Sequence, residues 1–178
     1  MKRALTALEL MVVISILLLL VAIMSPTFAR ARESAKITGS LARLKQLYIA
    51  VEMYAINEGG DALSPAHLPT LAAVQSNWLG LGKEFFISPC GINQIPGKTA
   101  YESSYAYFPH DYVIVLEQYM EKYGVNAVIW SDPNCNPPLA FDVETTTKRG
   151  LAVTAGGNLI NHYKRGNPYR PEWWSSIP

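Results

Sequence analysis

The sequence predicts an α+β protein in which one long N-terminal helix packs on a small antiparallel sheet. Three features support this prediction. The run from Leu10 to Met24 is almost entirely apolar, apolar residues then recur at helical spacing between residues 37 and 54, and two strand-like runs flank the Ala155-Gly156-Gly157 connection. Helices followed by antiparallel strands are typical of the α+β class.

Length and charge narrow the classes of function. The chain has 178 residues, enough for one domain of ordinary size beside a membrane segment. Its hydrophobic content of 49% is too high for a disordered chain, and its net charge of +1 lacks the excess typical of nucleic-acid-binding domains. We therefore expect no nucleic-acid partner.

The first apolar run is long enough to cross a membrane. A bilayer core about 30 Å thick takes roughly 20 helical residues, and Leu5 to Met24 supplies them. Lys2 and Arg3 precede the span, which favours a cytoplasmic N-terminus and an exported remainder. These features predict a single pass, with a periplasmic or extracellular head after it.

Glu9 distinguishes this segment from an ordinary export signal. A signal peptide ends in a small-x-small cleavage site, and Ala29 to Ala31 offers only a poor version between arginines. A carboxylate near the bilayer centre costs roughly 2.5 to 3.5 kcal/mol without a partner, so a plain anchor has no use for Glu9. The alternative is that Glu9 reaches the head-group region, where the penalty is small.

The residues from Ala4 to Leu10 read ALTALEL, and the apolar run and Pro26 follow. This arrangement resembles the processing and assembly motif of type IV pilins and type II secretion pseudopilins. The resemblance implies that a prepilin peptidase cuts between Ala4 and Leu5 and that the new N-terminus is methylated. Ala4 stands where this family usually has glycine. Leu5 stands where the family most often has an aromatic residue.

The same resemblance implies how the subunits assemble. In a packed helical bundle, the carboxylate of Glu9 can meet the new amine of Leu5 in a neighbouring subunit, which offsets the burial of both charges. The implied partners are other pilin or pseudopilin subunits, the peptidase and the inner membrane. The alternative is a membrane-tethered periplasmic binding module that does not polymerise. An exported enzyme has no motif in its favour, and we expect no catalytic residues.

These inferences divide the chain into four parts. Residues 1–4 form the leader, 5–28 the transmembrane half of the helix, 29–58 its amphipathic half and 59–178 the α+β head. In the amphipathic half, apolar side chains recur at intervals of three and four, at Ile37, Leu41, Leu44, Tyr48, Val51 and Tyr54. Gly59 and Gly60 are expected to end the helix, and Pro26 to bend it.

The head is expected to begin with a short helix in PAHLPTLAAVQSN, followed by irregular surface chain over residues 79–109. A second helix is predicted from Asp111, as its N-cap, to Gly124. NAVIWS then predicts a strand, and GLAVT with NLINHY predicts a hairpin.

The head contains two cysteines, Cys90 and Cys135, which are either joined in a disulfide or left as buried thiols. Both alternatives stay open, because the sequence does not give the Cα–Cα distance that decides between them. The aromatic cluster of Tyr169, Trp173 and Trp174 is expected to cover the domain as a packed lid, with an exposed contact surface as the alternative.

Metal and catalytic motifs are weak in the head. His67, His110 and His162 lack metal-type spacing, and Ser103, Ser104 and His110 lack a nucleophile elbow, so we expect no metal site and no catalytic site. In the turn, every second residue, Asp132, Asn134 and Asn136, has a side-chain oxygen that could bind calcium. The prolines between them are better explained by a rigid turn, so a calcium site is only weakly supported.

Overall fold

The computed structural model describes residues 7–59, 80–91, 105–107, 116–136 and 145–175. The chain forms two compact units, Met1–Ala35 and Lys36–Pro178. Helix α1, Ala7–Asn57, contributes to both, and it is followed by a small antiparallel sheet. The described residues therefore have the predicted α+β layout.

In the second unit, α1 presents one line of buried side chains. They recur at intervals of three and four and comprise Ser40, Leu44, Leu47, Val51 and Ala55. Leu44 and Val51 belong to the predicted stripe, while Ile37, Leu41 and Tyr48 are only partly buried at its side. The predicted stripe is thus rotated slightly from the observed one, because the small residues Ser40 and Ala55 occupy buried positions.

Four antiparallel strands occur among the described residues, in the spatial order β1-β2-β3-β4. Their bounds are Ala106–Tyr107 for β1, Val128–Asp132 for β2, Thr147–Thr154 for β3 and Leu159–Arg165 for β4. The register places Ser131 opposite Ala106 on one side and opposite Ala152 on the other. The strand predicted at NAVIWS and the predicted hairpin are confirmed.

One short helix lies between β1 and β2 in sequence, and another follows β4. Helix α2 is described over Leu116–Tyr123 and α3 over Pro171–Trp174. Gly124 follows α2 with a φ of 51°, a left-handed conformation that favours glycine. The Tyr119 hydroxyl of α2 accepts a 2.7 Å hydrogen bond from the Val128 amide, which ties the helix to the start of β2.

The central strands have cores on both faces. On one face, Ile129, Leu151 and Val153 cluster with the buried line of α1. On the other, Trp173 and Trp174 pack with Val128 and Ala152, each indole being 5% exposed. The two tryptophans therefore form a packed lid as predicted, and Tyr169, the third residue of the predicted cluster, is partly buried.

Gly150 makes room for this lid. A Cβ at Gly150 would lie 2.5 Å from Trp174 and 2.6 Å from Trp173, closer than real Cβ atoms come. The glycine therefore lets the indoles lie against the backbone of β3.

The tip of the β3–β4 hairpin is held on α1. Lys45 Nζ donates a 2.8 Å hydrogen bond to the Gly157 carbonyl, and the Tyr48 hydroxyl donates a 3.3 Å hydrogen bond to the Ala155 carbonyl. Gly157 has a φ of 75°, and a Cβ there would lie 2.8 Å from Lys45 Nζ. The polar edge of α1 thus fixes the hairpin that the sequence predicted.

The prediction of irregular surface chain over 79–109 is wrong for part of that range. The described segments include a 3-10 helix at Lys83–Phe86 and strand β1. Phe86 and Tyr107 are 6% and 3% exposed, and both pack on Trp130. The aromatic residues of this region are core residues because they surround a buried tryptophan.

Several predictions lie outside the described residues. They are the cleavage point at Ala4 and Leu5, the short helix in PAHLPTLAAVQSN, the cap at Asp111, and the positions His67, Ser103, Ser104 and His110.

Candidate functional site

The first unit presents an uncovered apolar surface. The large apolar side chains from Leu8 to Met24 are between 46% and 74% exposed. Among the described residues, α1 is the one helix long and apolar enough to cross a membrane. Lipid or other apolar helices are the environments that would cover such a surface.

Polar groups interrupt this surface at few points. Ser15 donates a 2.8 Å hydrogen bond to the Met11 carbonyl, so its hydroxyl is satisfied within the helix. Glu9 lies in the first described turn with an exposed side chain. Pro26 lies inside α1, and the helix continues beyond it; the predicted bend stays a prediction. Among the described residues from Leu8 to Met24, Glu9 is therefore the charged side chain on this surface.

A second feature, in the head, is a fully buried carboxylate. Asp132 ends β2 and is 0% exposed. Its Oδ2 accepts hydrogen bonds from the hydroxyls of Ser40, on α1, and Ser88, the latter at 2.6 Å. Its Oδ1 accepts from the backbone and side-chain amides of Asn134 at 2.9 and 2.8 Å. We call these four residues the Asp132 cluster.

The cluster joins three parts of the second unit: α1, the segment around Ser88 and the end of β2. Burial raises the pKa of Asp132 above its usual value, while the hydrogen bonds from Ser40, Ser88 and Asn134 oppose the rise. A protonated Asp132 remains compatible with this geometry, because a serine hydroxyl can rotate to accept a hydrogen bond from the protonated Oδ2 while Oδ1 still accepts from Asn134.

A disulfide joins Cys90 and Cys135 beside this cluster, with a Cα–Cα distance of 4.9 Å. The Cys90 amide also donates a 3.1 Å hydrogen bond to the Ser88 hydroxyl. A bridge across a sequence separation of 45 residues stabilises a domain by about 4 kcal/mol in the chain-entropy model. The disulfide therefore holds together the two segments that supply Ser88 and Asp132.

The ligand atoms of Cys90, Asp132 and Cys135 lie within 4.8 Å of one another. The sulfurs are joined in the disulfide and are therefore not thiolate ligands. The oxygens considered for calcium face protein donors: Asp132 accepts from the cluster, and Asn136 Oδ1 accepts from the Arg149 amide at 2.7 Å. The turn is therefore braced by its own hydrogen bonds.

Sequence reasoning missed the Asp132 cluster. Ser40 is 92 residues from Asp132 and Ser88 is 44 residues from it, so no local spacing relates them. One signal was present: Ser40 lies four residues before Leu44 on the apolar stripe, where a polar residue is expected to be buried and hydrogen-bonded.

Comparison of the chain with protein-family models, curated proteins and solved structures finds no match. Function is therefore inferred from the chain's own residues.

Proposed function

We propose that this protein is a structural subunit of a type II secretion pseudopilus or of a type IV pilus-like filament. A prepilin peptidase cuts it between Ala4 and Leu5, and the mature chain assembles with other subunits through its N-terminal helix. The N-terminus faces the cytoplasm and the head lies in the periplasm or on the filament. The protein carries no catalytic role.

One observation carries the proposal: an exposed apolar helix has a carboxylate, Glu9, in its first described turn. A helix that serves only as an anchor is better without a charge in lipid. A helix that must choose one register against a neighbour gains from a charge with one complementary partner. The amine that cleavage creates on Leu5 is such a partner.

A second exposed surface, on the amphipathic half of α1, supports assembly. Ile49, Met53 and Ile56 lie on one face of α1 and are 44%, 59% and 61% exposed. Ile49 and Met53 line an open cavity of about 470 Å³, together with Leu81 and Phe85. A neighbouring subunit that covered this face would bury apolar area.

Processing tests the proposal directly. The most abundant mature species in the membrane fraction is expected to begin at Leu5 and to carry one N-terminal methyl group. Intact mass and sequencing of the N-terminal peptide measure this. Ala4→Gly restores the family's usual residue, so it is expected to be processed at least as completely. A bulky charged residue in the same place, Ala4→Arg, is expected to block the cut.

An N-terminus beyond Ala29 would show an ordinary signal peptide and contradict the proposal. An intact Met1 in the membrane fraction would instead favour the tethered binding module.

A further inference from the structure

The C-terminal part of the head concentrates positive charge. Residues 147–175 contain five lysines and arginines against one acidic residue, although the whole chain has 15 basic and 14 acidic residues. Three of these cations, Lys164, Arg165 and Arg170, line one open cavity of about 600 Å³. The cavity lies at the end of β4, where the chain turns toward α3.

Contacts within the protein hold part of the cavity wall in place. Lys164 Nζ donates a 2.7 Å hydrogen bond to the Trp173 carbonyl and lies 5.8 Å from the centre of the Trp173 ring. This bond fixes the ammonium group beside the cavity. Gly166 also lines the cavity and has a φ of 113°, a conformation that favours glycine. Arg165 and Arg170 have exposed side chains.

A buried donor also belongs to the cavity wall. Trp173 is 5% exposed, and its indole Nε1 has no hydrogen-bond partner in the part of the chain that the structure describes. The edge of this ring lies under Gly166, where an added Cβ would be 3.6 Å from Nε1. Because this nitrogen is shielded from solvent, the indole contributes the surface of its ring to the cavity wall, and the polar contacts of a ligand fall to the cationic side chains.

We propose that this cavity binds a phosphate group. Among its described lining residues, Lys164, Arg165 and Arg170 carry three positive charges and Glu172 one negative charge, which leaves +2. A phosphate monoester carries about −1.5 to −2 at neutral pH and so matches this charge better than a carboxylate does. Arginine also binds phosphate through two parallel hydrogen bonds. The proposal does not depend on polymerisation.

Two sources supply this chemistry: a soluble phosphate ester or the head group of an anionic lipid. The full chain, held in phosphatidylcholine nanodiscs, can be titrated with inorganic phosphate and glycerol phosphate while tryptophan fluorescence is followed, because Trp173 lines the cavity. Flotation with phosphatidic acid vesicles, against phosphatidylcholine vesicles, tests the lipid source. Saturable binding in solution identifies the soluble ester, and binding to phosphatidic acid alone identifies the lipid.

Arg165→Gln and Arg170→Gln are each expected to weaken binding about ten-fold, since each removes a charge-assisted hydrogen bond. Lys122→Gln, at an exposed position of α2, removes the same charge elsewhere and is expected to change binding less than two-fold. Equal losses in all three variants, or no saturable binding to either source, would overturn the proposal. Tighter binding to single-stranded DNA, increasing with strand length, would replace it with a nucleic-acid surface.

Discussion

Glu9→Ala is expected to abolish incorporation of the protein into filaments while leaving its abundance and membrane anchoring unchanged. Removing the carboxylate makes the span more apolar, so insertion is retained. In the proposed filament, the variant lacks the partner of the Leu5 amine and therefore the charge pair that would fix the axial register. An unpaired charge costs roughly 2.5 to 3.5 kcal/mol near the bilayer centre and less toward the head groups, so assembly is expected to fall by up to about a hundred-fold at each contact.

Two variants sharpen this test. Glu9→Gln keeps the shape of the side chain but loses the charge-assisted bond, so it is expected to recover little filament. Glu33→Ala removes the same charge from the exposed part of α1 beyond the apolar run and is expected to assemble normally. Filaments sheared from cells that carry each variant as the only copy provide the measurement. Wild-type yield from Glu9→Ala would favour the tethered binding module.

Asp132→Ala is expected to lower the free energy of unfolding of the head by about 3 kcal/mol or more. It removes the acceptor of four hydrogen bonds, and buried donors left unsatisfied cost about 1 to 3 kcal/mol each, less what the serine hydroxyls regain by rotating. Asp132→Asn keeps an oxygen for Asn134 and is neutral, so it is expected to change stability at pH 7 by less than about 1 kcal/mol.

Ser131→Ala is the matched control in the same strand. The Ser131 hydroxyl is buried without a hydrogen-bond partner among the described residues, so its removal is expected to be neutral or stabilising. All four tryptophans lie between residues 78 and 174, so denaturant unfolding followed by their fluorescence reports on the head. A loss from Asp132→Asn as large as that from Asp132→Ala would show that the negative charge itself is required.

The raised pKa of Asp132 also sets the direction of a pH dependence. Between its unfolded value, near 3.8, and its higher folded value, the folded head binds more protons at this site than the unfolded chain. Asp132 therefore contributes more to stability at low pH, and its contribution falls as pH rises through the folded pKa. Relative to Asp132→Asn, the wild type is expected to lose stability across that interval. A gain would contradict the raised pKa.

The sequence predicted the elements whose signals are local. The hairpin of β3 and β4 was identified because strand-forming runs flank two glycines, and α1 because its apolar residues recur at helical spacing. Strand β1 was missed because two residues, Ala106 and Tyr107, carry no periodicity. Its position depends on pairing with β2, which lies more than 20 residues later.

The polar contacts of the head could not be predicted for a related reason. Ser40, Ser88 and Asp132 are ordinary helix, loop and turn residues when each is considered alone. They meet only when α1 packs on β2, so tertiary contacts and not local preferences decide their burial. The processing residues Ala4 and Leu5 and the assembly residues Glu9 and Pro26 were proposed from a resemblance in the N-terminal sequence, and their proposed roles depend on partners outside this chain.

Cross-linking between the N-terminal helices of neighbouring copies tests assembly most directly. Single cysteines at Val12, Ile16 and Leu19 place thiols on the exposed apolar run, whereas the native pair is already joined in a disulfide. We expect oxidation in intact cells to produce a ladder of cross-linked species from at least one position, and Glu9→Ala to remove that ladder. Monomer alone at every position, in cells with normal amounts of the protein, would contradict assembly through this helix.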